Sequence, residues 1–389
     1  MDDKKEESTG VIHLTEDEYA LQFPDGIEAD CPGKASDGEA VDYVIRVTTI
    51  VDDVDDAPSF KLFGVDDGSI TVRGPGCGHA VREGEGDGNA RREGSGRGNA
   101  YRRGLGSGCA VRFDAGDGNA YRYGDGTGDA VRSGSGSGRA VRGETGDGNA
   151  TRSDSGSGDA VRGGDGDGMA LRTGTGYGDA TRTGSGSGNA QNESTGKGSA
   201  TREGDGDGNA IRMGRARGDA LRGGSGDGAA FRSGSGRGDA VHTGSGSGNA
   251  ERTDEGEGEA RRGYSGDGSA IRSGDGDGGA FRSGSGSGNA RRTGFGDGNA
   301  VHSGEGPGDA VRDGTGEGYA LREGSGRGDA IRSGEGEGSA VRSGSGIGNA
   351  LREGSGSGLA KRRGTGTGTA TRRRDPEGGE ENGNDVEEE

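Results

Sequence analysis

An all-β solenoid, a chain wound into small stacked coils, is the fold that this sequence predicts. Three observations carry it: a strict ten-residue period, glycine at alternate positions through half of that period, and small residues alternating with polar ones. The period runs without insertion from Ala80 to Ala370, with alanine at all 30 expected positions. Counted from the alanine, the unit reads A-x-R-x-G-x-G-x-G-x.

Alternation of small and polar residues is strand spacing. Three glycines per unit, each ~1 kcal/mol worse than alanine, argue against a helix. A collagen-like helix needs glycine at every third position, not every second. The remaining ordered form is a coil of ten residues, its two short walls so close that only glycine or alanine fits between them. Stacked at ~4.8 Å, about 30 such coils would make a rod of roughly 140 Å.

The three glycine slots differ in tolerance. The third, two residues before the alanine, is never replaced, and the second is replaced once, by Ala216. Such slots mark positive φ or close backbone approach, and the single alanine favours close approach at the second. The first admits Asp114, Glu144, Asp154, Ser194, Asp254 and Tyr264, so it is expected near solvent. The residues between glycines, such as Ser135, Asp165 and Glu337, are expected to face water.

Two slots supply candidate functional residues. The arginine slot departs only at Asn192, His242 and His302. Its candidate ladder begins Arg82, Arg92, Arg102, Arg112, Arg122, Arg132, Arg142, Arg152, Arg162 and Arg172. Two readings stay open for it: a zwitterionic ladder paired with Asp and Glu that sets coil register, or a row that grips carboxylates, phosphates or glycans. The residue after alanine is Val, Ile, Leu, Phe or Tyr in 20 of 30 repeats. Val131, Val141, Val161, Leu171, Ile211, Leu221, Phe231, Val311, Leu321 and Ile331 exemplify this stripe. Arg91, Gln191, Glu251, Arg261, Arg291 and Lys361 interrupt it, so it reads as a half-exposed thin core or as a band for lateral association.

The flanks differ from the array. Residues 1–9 are expected to be disordered, 10–73 to form a small β cap, 74–372 the solenoid, and 373–389 a disordered acidic tail. Val41–Val51 is strand-like. Ser59–Phe63 and Ser69–Val72 flank a Val65-Asp66-Asp67-Gly68 turn, as in a hairpin. Residues 1–73 hold 6 basic and 19 acidic residues, 74–372 hold 40 of each, and 373–389 hold 2 and 8. A neutral array between acidic ends disfavours nucleic-acid binding, which tracks uncompensated Lys and Arg. Cys31, Cys77 and Cys109 suggest no disulfide framework. The charged opening, Met1 to Glu7, does not read as a signal peptide, and no run is long enough for a membrane span. The expected setting is cytoplasmic or virion-associated, with leaderless secretion open.

The G-[N/D]-A-x-R wording, from Gly74 to Arg372, resembles glycine-rich decapeptide-repeat proteins of phage and bacterial type. The expected coil size resembles the ten-residue β-solenoids of insect antifreeze proteins, although this repeat lacks their regular Cys and Tyr positions. These resemblances imply a repeat fold and no particular activity.

No catalytic constellation emerges, and no cofactor is expected. His13, His79, His242 and His302 are the only histidines, and Cys77 with His79 is too little for a metal site. Asp165–Gly168, Asp205–Gly208 and Asp275–Gly278 suggest calcium, but the acidic slots drift among other residues, so solvated turns are the plainer reading. The expectation is a non-enzymatic structural protein, a spacer, fibre or adhesive surface that self-associates along its stripe or ends. A solenoid binding ice, glycan or calcium is the alternative, and a disordered glycine-rich tether the third.

Overall fold

The computed structural model describes residues 68–73 and 78–374 in full, and the backbone of three further strands, Thr48–Ile50, Phe60–Phe63 and Val386–Glu388. The expected disordered start, residues 1–9, lies outside the described residues. Each decapeptide gives one strand of three or four residues, such as Ala80–Glu83 or Ala90–Arg92, followed by a glycine loop. Alanine, the stripe residue and arginine form the strand. The three glycines fall in the loop, where a strand would lose side-chain packing.

Strands pair in parallel with those twenty residues away, never ten: Ala140 lies beside Ala120 and Ala160. Odd- and even-numbered decapeptides therefore build two separate sheets, and one turn holds two decapeptides. This corrects the ten-residue coil. The chain is an all-β parallel β-solenoid of about 15 turns, not 30. The physical reason is that one glycine loop reverses the chain only once. A second loop is needed to return it to its starting edge.

The chain divides into two compact units, residues 1–188 and 189–389. In the first, strands at Phe60, Ala80, Ala100, Ala120, Ala140, Ala160 and Ala180 form one sheet. Strands at Thr48, Ile70, Ala90, Ala110, Ala130, Ala150 and Ala170 form the other. The second unit repeats this plan, with sheets from Ala190 to Ala370 and from Ala200 to Ala360.

The expected hairpin before the array is not formed. Phe60–Phe63 pairs with Ala80–Glu83 and Ile70–Arg73 with Ala90–Arg92, so the two strands extend opposite sheets. Ile70 and Val72 there take the alanine and arginine positions and are buried. An apolar pair thus replaces the repeat's own inward residues near this end. Of the expected disordered tail, residues 373–389, Arg373 still belongs to the last array strand, Ala370–Arg373, and Val386–Glu388 pairs in parallel with Ala360–Arg362.

Burial follows the strand alternation. In Ala150–Arg152 the alanine and arginine are buried and Thr151 is half-buried between them. The alanines from Ala80 to Ala350 are 0% exposed. The backbone ladder continues through the loops, as in Gly88 N–H to Ser107 O at 2.8 Å and Gly138 N–H to Ser157 O at 2.9 Å.

Candidate functional site

The arginine ladder lies inside the solenoid. Arg92 through Arg182 are 0% exposed, and Arg82 is 1% exposed. The expectation that nothing larger than alanine fits between the walls is therefore overturned: a twenty-residue turn encloses room for two guanidiniums.

Arg102 shows how the charge is held. Its Nε donates to Gly88 O at 2.9 Å, Nη1 to Gly84 O at 3.2 Å, and Nη2 to Gly86 O at 2.6 Å. These are the three glycines of the loop one turn below. Nη1 also donates to Arg103 O and Nη2 reaches Ser107 O at 3.5 Å, both in its own loop. Arg112, Arg122 and Arg132 repeat the pattern against their own lower loops. Five N–H donors meet carbonyls of two successive loops, so the guanidinium fastens turn to turn. The carboxylate pairing expected of this ladder is replaced by backbone carbonyls.

Charge remains on these groups at neutral pH. Burial, and then the guanidiniums one turn away, push Arg112 and Arg152 down to about 10. Surface carboxylates act the other way: Asp114 and Asp117 favour the charged form of Arg112. The acidic residues therefore serve the ladder from a distance.

The loops explain the glycine hierarchy. A Cβ at the third slot, Gly118, would stand 2.0 Å from Gly98 O, and φ there is +146°. At the second slot, Gly116, it would meet Gly96 O at 2.0 Å and Arg112 Nη2 at 2.3 Å. Close approach is thus the reason at the second slot, as expected. Ala216, the single exception, keeps its own Arg212, which donates to Ser194 O at 3.1 Å and Gly196 O at 3.0 Å of the loop below, and nothing in the structure explains why alanine stands there. The first slot adopts the left-handed region: Asp114, Glu144, Asp154, Asp254 and Tyr264 have φ between 67° and 75° and are exposed. Ser194 departs from this pattern. It is buried, and its hydroxyl donates to Asn192 Oδ1 at 2.7 Å, so the Asn–Ser pair occupies the space of an arginine head.

The Asn or Asp that precedes the alanine in 17 of the 30 repeats has a role that the sequence reading did not assign. Asn89 Oδ1 accepts the Cys109 N–H at 2.8 Å, and Asn119 Oδ1 accepts that of Arg139 at 2.8 Å. Asp87 and Asp147, between second and third glycines, accept from Ser107 and Asp167 in the same way. These side chains satisfy loop N–H groups one turn above. The Asp-Gly-Asp-Gly carboxylates share this duty: Asp167 accepts from Ser187, Asp207 from Asp227 and Asp277 from Asp297.

The apolar stripe lies outward. Val131, Val141, Val161, Leu171, Ile211, Leu221, Phe231, Val311, Leu321 and Ile331 are all half-buried on the sheet faces rather than enclosed. Alternate members belong to opposite sheets, so the single stripe of the sequence is two stripes. Arg261 and Lys361 interrupt one, and Arg91, Gln191, Glu251 and Arg291 the other. The same spacing stacks Tyr101 on Tyr121 with ring centres 5.0 Å apart and sets Tyr123 5.8 Å from Tyr121, with Arg103 over Tyr101 at 5.2 Å. Not every loop residue is polar: Leu105, Tyr177, Phe295 and Ile347 are more than half exposed between glycines.

Five surface ion pairs also join residues twenty apart: Arg73–Glu93, Glu83–Arg103, Arg139–Asp159, Arg237–Glu257 and Glu353–Arg373. Each contributes little alone. A search of the sequence for complementary charges at that separation was the available signal for the true turn length.

His242 and His302 are 0% exposed in the arginine slot, as their spacing implied. Neither ring makes a hydrogen bond of ordinary geometry, although the Gly228 and Gly288 carbonyls stand near enough to favour protonation. Burial, then the adjoining guanidiniums, push both down to about 4.

These features define a class: a parallel β-solenoid with twenty residues per turn, whose core is arginine held by backbone carbonyl oxygen. Comparison with protein-family models, curated proteins and solved structures gives no match. Among the described residues no helix is long and apolar enough to cross a membrane.

Proposed function

We propose that this chain is a non-enzymatic structural repeat protein, a stiff spacer or display surface. One observation carries the reading: the inward arginines and the second and third glycines of the array serve turn-to-turn contact. The outward positions vary freely among Val, Tyr, Thr, Arg and Glu. A fold that preserves its interior and varies its exterior is suited to holding a length and presenting a surface. The two stripes are the candidate surfaces for self-association, and the balanced charge of residues 74–372 disfavours nucleic acid.

The test is made on the full chain by small-angle scattering, circular dichroism and ligand titration. The expected result is the scattering of a folded rather than coil-like chain with β signal, a thermal midpoint indifferent to calcium, no thermal hysteresis, and no DNA shift at physiological salt. Coil-like scattering rejects the solenoid reading. Unfolding on chelation, ice-growth arrest or tight DNA binding replaces the structural role with a ligand-binding one.

A further inference from the structure

The two histidines in the arginine slot mark turns whose carbonyls are arranged for a cation that the side chain does not supply. In the turn above His302, Arg322 donates from Nε to Gly308 O at 2.8 Å, from Nη1 to Gly304 O at 3.2 Å and from Nη2 to Gly306 O at 2.7 Å. It also donates to Glu323 O. The same offsets from residue 302 fall on the carbonyls of Gly288, Gly284, Gly286 and Ser303.

The imidazole reaches only part of this set. His302 Nε2 is 2.9 Å from the Cβ position at Gly308, while the arginine Nε of the next turn is 3.2 Å from that at Gly328. The ring therefore ends where Nε stands in its neighbours, short of the two Nη positions. His242 ends likewise, with Nε2 3.1 Å from the Cβ position at Gly248. Both rings are 0% exposed and turned toward the loop.

We propose that the loop around His302, and its counterpart around His242, binds one monovalent cation of potassium or ammonium size through backbone carbonyls. Three arguments support the assignment. First, sister turns hold positively charged Nη atoms at distances such as 2.6 and 3.3 Å from the first- and second-slot carbonyls of the loop below. Calcium prefers ~2.3–2.6 Å, magnesium ~2.0–2.1 Å, and both favour carboxylate ligands. Carbonyl rings are an established way of replacing the hydration shell of potassium. Second, a bound cation restores the single positive charge that a turn carries elsewhere in the ladder. Burial and the flanking Arg322 and Arg282 hold the ring itself neutral, while Asp267 and Asp309 favour the charged forms of those two arginines. Third, the neutral ring offers a nitrogen lone pair rather than a competing charge.

The experiment follows thermal unfolding of the full chain at neutral pH in chloride salts of potassium, ammonium, sodium and tetramethylammonium at equal ionic strength. Potassium or ammonium is expected to raise the midpoint by about 3 °C over tetramethylammonium, saturably, with sodium giving less. The ion that saturates at lower concentration is the preferred ligand. His302→Arg halves the effect, and His242→Arg with His302→Arg abolishes it, because the repeat's own residue then fills both loops. Equal midpoints in all four salts, or a potassium effect that survives in the double variant, overturn the proposal. A sodium effect equal to that of potassium rejects the assigned ion size.

Discussion

Arg272→Met removes one guanidinium and keeps most of its side-chain volume. Arg272 donates to Gly258 O at 3.1 Å, Asp254 O at 3.3 Å, Gly256 O at 2.8 Å, Gly276 O at 2.6 Å, and to Ser273 O. Each carbonyl left buried without a donor costs ~1–3 kcal/mol, and removing one side of a buried charged cluster costs ~3–5 kcal/mol in total. Methionine also removes the desolvation of the charge, so the lower half of that range is expected. The neighbouring Ile271 is half-buried on the outer face, and Ile271→Ser should cost ~1 kcal/mol. Because each turn of a solenoid touches only its neighbours, the loss should be local. Amide hydrogen exchange read by mass spectrometry over residues 250–295 is the assay. Arg272→Met is expected to lower protection there about 100-fold or more, and Ile271→Ser by less than tenfold. If the two variants behave alike, the guanidinium is not what fastens the turns.

The twenty-residue turn predicts cross-links. In a background lacking the native cysteines, Ile271→Cys with Arg291→Cys should oxidise readily, because paired residues in a sheet lie ~4.8 Å apart and a disulfide spans ~4.4–6.8 Å. Ile271→Cys with Phe281→Cys places the thiols on opposite sheets and should stay reduced, as thiol titration will show. Gly268→Ala puts a Cβ 2.0 Å from Gly248 O at φ +141°, and should lower the unfolding midpoint by the equivalent of ~3 kcal/mol or more. Gly274→Asp would set a Cβ 2.3 Å from Asp254 O at its present φ of +100°, but should cost only ~1 kcal/mol because φ can relax to the +75° that Asp254 adopts in the same slot. Acid should weaken the fold through its histidines. His242 and His302 fall from 6.5 unfolded to about 4 folded beside Arg222, Arg262, Arg282 and Arg322, so their contribution is complete above pH 6.5 and lost as pH falls toward 4. The loss reaches ~2–3 kcal/mol per ring, and His242→Arg with His302→Arg should remove that part of the urea-midpoint pH profile between pH 7 and 5.

The glycine slots were the most legible part of the sequence. Intolerance at Gly118 reported a φ of +146° that side chains rarely adopt, and intolerance at Gly116 a Cβ position already taken by both a carbonyl and the Arg112 guanidinium. Tolerance at Asp114 reported exposure. Tight packing at a point leaves a local mark, and a single residue type is enough to read it. The two stripes and the rung-to-rung role of Asn89 and Asn119 needed the knowledge of which decapeptides touch. The Asn192–Ser194 substitution also stayed hidden, since nothing in either residue alone says that together they occupy an arginine's place.

Sequence alone determined the β class, the ten-residue period and the constancy of alanine, arginine and glycine, because these follow from steric rules acting within one decapeptide, whereas the placing of the glycine half in loop rather than strand came from the fold. Turn length and the direction of the arginines were decided only by tertiary structure. Identical decapeptides look the same whether one or two complete a turn. A guanidinium ordinarily belongs in water, and it can be buried here only because two successive loops converge on it with their carbonyls.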